Sequence, residues 1–291
     1  MSRPLRIHAP GVLCHVMSRG NDKQHIFLGE ADFTHFLELL ASLLERFDVQ
    51  CIAYCLMWNH THLLLRPREQ PLSRLMQHLN SAYCQNFNRR HGRVGHVLQG
   101  RFKSLWVEDD IYLLRVLRYI VRNPVASGYV NDPAAWTWSS HRATAGVEPA
   151  PAWLDVRAVW NVFNHTGAAS AAEQFRLFAA ADVDDPAPTR DLLVGSQSFA
   201  RNLDWQLEPH RGDEDFRYAE RFAARPPLDQ LIPAHIVGVA LHEAVRTAFL
   251  AHAYTLREIG GQLGRPSSTI WSWIQRAQRE TTSEVLVTNR L

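Results

Sequence analysis

The chain has 291 residues, 46% hydrophobic and 21% charged, which excludes collagen-like, disordered and disulfide-scaffold chains and leaves room for two or three compact units. The net charge of +2 hides an uneven distribution: residues 1–145 carry +6, 146–252 carry −6 and 253–291 carry +2. Within the basic front, 66–122 holds 11 Lys and Arg against 4 acidic residues, a density suited to a polyanion. No apolar run approaches the roughly 20 residues that cross a bilayer. The opening MSRPLRIHAPG lacks the apolar stretch of a secretory signal, so a cytoplasmic, nucleoid-associated protein is expected. The cysteines Cys14, Cys51, Cys55 and Cys84 lack C-x-x-C spacing and are too sparse for a disulfide framework, so they read as buried reduced thiols.

In chain order, residues 11–19 (GVLCHVMSR) read as a strand rich in apolar and β-branched side chains. Residues 30–47 repeat Phe33, Phe36, Leu37, Leu40, Leu43, Leu44 and Phe47 at helical spacing. Residues 49–57 predict a strand, Trp58–Asn59 a tight connection, and 60–66 a further strand. A helix at 71–90 gathers Leu72, Leu75, Met76, Leu79, Tyr83 and Phe87 on one face. The Gly- and Arg-rich stretch 91–101 is a loop and 102–108 a short strand. Another helix runs from Asp109 or Asp110 to Asn123, where Pro124 discourages continuation. Glu108, Asp109 and Asp110 would serve the positive end of that helix. This order, βαββαβ plus a helix, predicts an α+β fold with a ferredoxin-like antiparallel sheet, helices on one face and the extra helix free to cover the other.

Residues 146–230 predict an irregular helical connecting region, broken by Pro- and Asp-rich stretches. The domains are therefore expected at 1–145, 146–230 and 231–291, the last an all-α region. There, Thr255-x-x-Glu258 is a capping box, Gly264 supplies a turn, and Ser267 or Ser268 caps a helix with Ile270, Trp273 and Ile274 inward. The spacing resembles a helix-turn-helix whose second helix enters the major groove, with Ser268 and Trp271 as its expected DNA contacts. A generic three-helix packing unit has the same pattern.

His60 and His62 flank Thr61 on a strand, and alternation points both imidazoles to one face. They form half a site for a divalent metal, although a lone H-x-H also suits a structural pair. On the helix ending at Asn123, Tyr112, Arg115, Tyr119, Arg122 and Asn123 share a stripe apart from the apolar Leu113, Leu114, Leu117, Ile120 and Val121. If that helix crosses the open face of the sheet, a phenol, an amide and two imidazoles converge. A metal held by His60, His62 and Asn123 would polarise a phosphodiester oxygen and orient the scissile bond. Tyr119, drawn toward phenolate by neighbouring arginines, would be a covalent nucleophile whose phosphotyrosine diester conserves the bond energy. Tyr112 is its internal competitor, but lacks an amide one turn ahead.

His60-Thr61-His62 within MWNHTHLLL, the stretch YCQNFNRRHGRVGHVLQGRFKS, the helix YLLRVLRYIVRNPV, the later WTWSSHRA and the opening CHVMSRGN resemble the REP-associated tyrosine transposases of the HUH single-strand transposase and nuclease superfamily. The similarity covers about 5–145, which would make 1–145 the transposase/nuclease domain. It implies a metal-dependent single-stranded DNA endonuclease and strand transferase in which Tyr119 forms a 5′-phosphotyrosine link. It also implies Mg²⁺ or Mn²⁺ on His60 and His62, with Asn123 at the third polar ligand, and cleavage beside imperfect hairpins like REP palindromes. The chain extends past the minimal members of that family.

Arg89, Arg90, Arg93, Arg101 and Lys103 suit phosphate contacts, and Arg115 and Arg122 extend them onto the catalytic helix. Phe102 and Trp106 would stack bases, with a core role for Trp106 as the alternative. His78, His91 and His96 read as surface or DNA-proximal. The competing function is a non-catalytic regulator binding hairpin or duplex DNA. A metallohydrolase would want a carboxylate near the histidines, which the strand and helix do not evidently supply.

Overall fold

A computed structural model describes residues 6–109, 111–163, 170–181, 193–194, 196–207, 225–250, 252 and 254–288. Asp110 and the breaks expected at 182–191 and 208–216 fall outside them. The chain forms two compact units, Arg6–Ser196 and a second from Gln197 onward. Among the described residues no helix is long and apolar enough to cross a membrane.

The first unit runs β1 (Leu13–Arg19), α1 (Glu30–Arg46), β2 (Val49–Met57), β3 (His60–Pro67), α2 (Leu72–Arg90), β4 (Lys103–Val107) and α3 (Ile111–Ala126). The strands lie in the order β2-β3-β1-β4, all antiparallel, as the expected βαββαβ fold requires. Alternation divides the sheet. Leu13, Ala53, Cys55, Met57, Leu64 and Val107 face α3 and pack with Leu113, Val116, Leu117, Ile120 and Val121. Cys14, Val16, Leu63 and Leu65 are buried on the other side, with α1 and α2. There Phe27 stacks on Phe33 at 4.3 Å and Tyr83 meets Phe36 edge-on at 5.2 Å.

Helix α3 does not stop at Asn123 as expected. Pro124 sits in its last turn, where the ring costs a single ladder bond, and the helix continues to Ala126. Gly128, at φ +72°, completes the exit. Glu108, expected at the positive end of this helix, accepts from Ser196 Oγ at 2.9 Å. It thereby pins β5 (Leu193–Val194), which adds a short parallel strand to β4. Asp109 pairs with Arg66.

The opposite sheet edge is covered too. Leu56 N–H donates to the Trp138 carbonyl at 2.8 Å and Ser140 N–H to that of Tyr54 at 2.9 Å, so WTWSSHRA lies along β2. Three helices follow: α4 (His141–Thr144), α5 (Val156–Phe163) and α6 (Ala171–Ala180). Val159, Phe175 and Ala179 enter the core under α3 and are each 0% exposed, so the packing of this unit continues past residue 145. Cys14, Cys51 and Cys55 are buried free thiols, and Cys84 is half-buried.

The second unit holds α7 (Gln197–Leu207), α8 (Leu228–Leu231), α9 (Gly238–Leu250), α10 (Leu256–Leu263) and α11 (Ser267–Thr288). Ile232, Val245, Tyr254, Ile259, Ile270 and Ile274 form its core. Thr255 and Glu258 complete the capping box, each side chain taking the other's backbone N–H.

Candidate active site

β3 presents His60 and His62 to the α3 side, their rings 4.9 Å apart, while Thr61 is buried behind them. The β1–β3 register sets Arg19 opposite His60, Met17 opposite His62 and His15 opposite Leu64, which brings His15 and Arg19 to the same face. α3 crosses this face and places Tyr119 edge-on to His62 at 5.6 Å and to His15 at 6.0 Å. One turn later Asn123, 9% exposed, sets its Oδ1 3.4 Å from His60 Nε2. Tyr112 instead lies under the guanidinium of Arg115, 5.6 Å from the ring centre.

Hydrogen bonds fix the state of His60. Asn59 Nδ2 donates to the Lys23 carbonyl at 3.1 Å, which turns Asn59 Oδ1 toward His60 Nδ1 at 2.6 Å. That oxygen accepts, so Nδ1 carries the ring proton and Nε2 a lone pair. Asn123 Nδ2 points to the Tyr119 carbonyl at 3.5 Å, leaving Oδ1 for His60. Two lone pairs then face each other across 3.4 Å, an arrangement that a cation reconciles. Burial lowers the His60 pKa, with Arg19 adding to the effect and Asn123 opposing it. Burial and the neighbouring imidazoles hold His62 well below the ordinary range. Both are neutral at pH 7, the form that ligates metals. Among the described residues no three His, Cys, Asp or Glu side chains form a group that could hold a metal ion; beside the two imidazoles, the Asn123 amide oxygen is a further donor within reach of His60. Two imidazoles and an amide oxygen are a donor set that would suit a divalent ion.

The other expected contacts divide. Arg89, Arg101 and Lys103 are exposed, and Lys103 stands opposite Met17 on the histidine face. Arg90 reaches buried Asp32 at 3.2 Å, which His91 also contacts at 2.9 Å, and Arg93 donates to Gln24 at 2.9 Å. Arg115 is exposed, whereas Arg122 donates to the Ala179 and Ala180 carbonyls at 3.1 Å, closing the end of α6. Arg118 lies over Phe178 at 4.3 Å. The guanidiniums along α3 thus serve α6 and Tyr112. Phe102 and Trp106 are each 6% exposed and belong to the core, so neither is available to stack a base.

Sequence reasoning missed His15, Asn59 and Arg19. Their only linear signal is position in or beside the CHVMSRGN and MWNHTH motifs: His15 and Arg19 reach the site through strand register, and Asn59, although next to His60 in sequence, is oriented by the distant Lys23 carbonyl.

In the second unit Gly264 adopts φ +62° between α10 and α11. A Cβ on Gly260 would stand 2.4 Å from the Arg265 carbonyl oxygen, so the turn closes only on glycine. Ile270 and Ile274 point inward, while Ser267, Ser268 and Trp271 face outward from the start of α11.

Residues 9–123 match the family model for "Transposase IS200 like". A Haemophilus influenzae protein described as a REP-associated tyrosine transposase is 31% identical over 110 residues, 34% of this chain. The match spans 62% of that relative's length. A solved REP-associated tyrosine transposase bound to a REP hairpin matches 53% of this chain and 94% of its own at 19% identity, with a TM-score of 0.42. The family resemblance read from the motifs is borne out by the first two matches.

Proposed function

We propose that this chain, which matches the IS200-like transposase model over residues 9–123, is a metal-dependent single-stranded DNA endonuclease and strand transferase that cuts beside REP-like hairpins. The convergence of Tyr119, His60, His62 and Asn123 on one sheet face carries this reading.

The Tyr119 oxygen attacks the scissile phosphorus, forming a 5′-phosphotyrosine while the bond from phosphorus to O3′ breaks. The phenol proton leaves to solvent, and the departing 3′ oxygen takes one up. Attack by another 3′ hydroxyl reverses the step and frees the phenol, so rejoining needs no ATP. His60, His62 and Asn123 would hold Mg²⁺ or Mn²⁺, which polarises the phosphodiester. Asn59 keeps the His60 proton on Nδ1, and α3 holds Tyr119 against the imidazoles, so the nucleophile needs little reorganisation. Arg19, Arg89, Arg101, Lys103 and Arg115 are the exposed cations for the DNA backbone, with Arg90 and Arg93 at the margin.

The turn at Gly260 and Gly264 favours a second DNA element. α10 and α11 form a helix-turn-helix that reads duplex DNA through Ser268 and Trp271. A protein using only this element would be a regulator. Incubation with labelled single-stranded hairpins and Mn²⁺ separates the readings. Metal-dependent cleavage that survives Trp271→Ala but not His62→Ala supports the nuclease; hairpin binding without cleavage supports the regulator.

A further inference from the structure

His15 is 0% exposed, and its Nε2 lies 2.9 Å from His62 Nδ1, the rings stacked with centroids 5.1 Å apart. Its own Nδ1 is buried with no hydrogen-bond partner, and its ring meets the Tyr119 ring edge-on at 6.0 Å. A histidine in the floor of the sheet thus touches both the proposed nucleophile and a proposed ligand.

The nitrogen-to-nitrogen contact allows two neutral arrangements. If His15 Nε2–H donates, His62 Nδ1 accepts, and the His62 proton sits on Nε2. That nitrogen then has no lone pair for an ion. If His62 Nδ1–H donates, His15 Nε2 accepts and His62 Nε2 keeps its lone pair. The His15 proton is then on Nδ1, the atom buried without a partner. Only the second arrangement leaves His62 competent, and it gives His62 what Asn59 gives His60: an acceptor on Nδ1.

We propose that His15 is a positioning residue for the metal site: its Nε2 accepts the His62 Nδ1 proton, fixing the tautomer and plane that present Nε2 to the ion. This rests on the reading of His60 and His62 as ligands. Because the partner is an imidazole in the sheet itself, β1 and β3 must be in register before the site is competent.

The test has a metal-free readout. In the full chain labelled with ¹⁵N-histidine, ring nitrogen shifts report the His62 tautomer; the expected form carries its proton on Nδ1, and a proton on Nε2 overturns the proposal. A second readout is Mn²⁺ affinity by electron paramagnetic resonance. His15→Leu, which keeps the core apolar, is expected to weaken Mn²⁺ binding about 10- to 100-fold. His15→Gln, whose amide oxygen can accept, is expected to recover most of that loss. Wild-type affinity in His15→Leu overturns the proposal, as does an equal loss in both variants. His62→Ala separates this from the parent reading. If it leaves Mn²⁺ binding intact, the ligand assignment itself fails; if it abolishes binding while His15→Leu does not, only the role of His15 fails.

Discussion

The buried histidines of the first unit set the charge state of its core. Burial lowers the pKa of His15 to about 3 and that of His141 to about 4. Both stay neutral in the fold at pH values where the unfolded chain, titrating near 6.5, binds a proton. The unfolded state therefore takes up more protons as pH falls, and stability drops below about pH 6.5 by roughly 1.4 kcal/mol per pH unit for each such group. Urea unfolding between pH 7 and 5 should show this slope, and His141→Gln should flatten it by about one proton. An unchanged slope would mean that His141 titrates normally. At this scale the sequence was legible where a residue's partner is local. The pair His60 and His62 follows from strand alternation, and Asn123 stands one helical turn from Tyr119. It was silent where the partner comes from another strand: His15 is 47 residues from His62, and only the register of β1 on β3 joins them.

Two glycines set element geometry through close approach. A Cβ on Gly20 would lie 2.1 Å from the Gln24 carbonyl oxygen, in the turn beside Arg19 and Asn59. Gly20→Ala is expected to cost about 1–3 kcal/mol and to weaken hairpin cleavage, because the turn carrying Lys23 holds the Asn59 amide in place. Gly260→Ala should cost a similar amount, about 1–3 kcal/mol, but in the second unit. Duplex binding by anisotropy is expected to fall while hairpin cleavage stays intact; loss of cleavage instead would deny the helix-turn-helix a separate role. The helices of the sheet layer are readable from their single apolar stripe, and the strands, buried on both faces, from short continuous apolar runs. β5 was not, since two residues in an acidic stretch carry no period. The end of α3 is not legible in the sequence, because a proline in a last turn removes one bond, which packing of Val121 and Asn123 on the sheet offsets.

The whole molecule divides after Ser196, whereas the charge and composition shifts point to 145. The reason is packing: α5 and α6 supply Val159, Phe175 and Ala179 to the core beneath α3, the helix that carries Tyr119. Apolar contacts across roughly 50 residues leave no local signature in an otherwise acidic, irregular stretch. A chain truncated after Ser196 is expected to keep a cooperative thermal transition and hairpin cleavage. One truncated after Ala145 exposes the underside of α3 and should aggregate or melt without cooperativity. Equal behaviour of the two would mean that α5 and α6 do not support the active face.

In the proposed reaction Tyr119 is the nucleophile of a metal-dependent cut in single-stranded DNA. The most direct measurement incubates the full chain and Mn²⁺ with a single-stranded hairpin, digests the product, and locates the nucleotide adduct by mass spectrometry. The expected adduct is a nucleotide joined through its 5′-phosphate to the peptide containing Tyr119, absent in Tyr119→Phe and retained in Tyr112→Phe. An adduct on Tyr112, or cleavage with no covalent species in wild type, would contradict it.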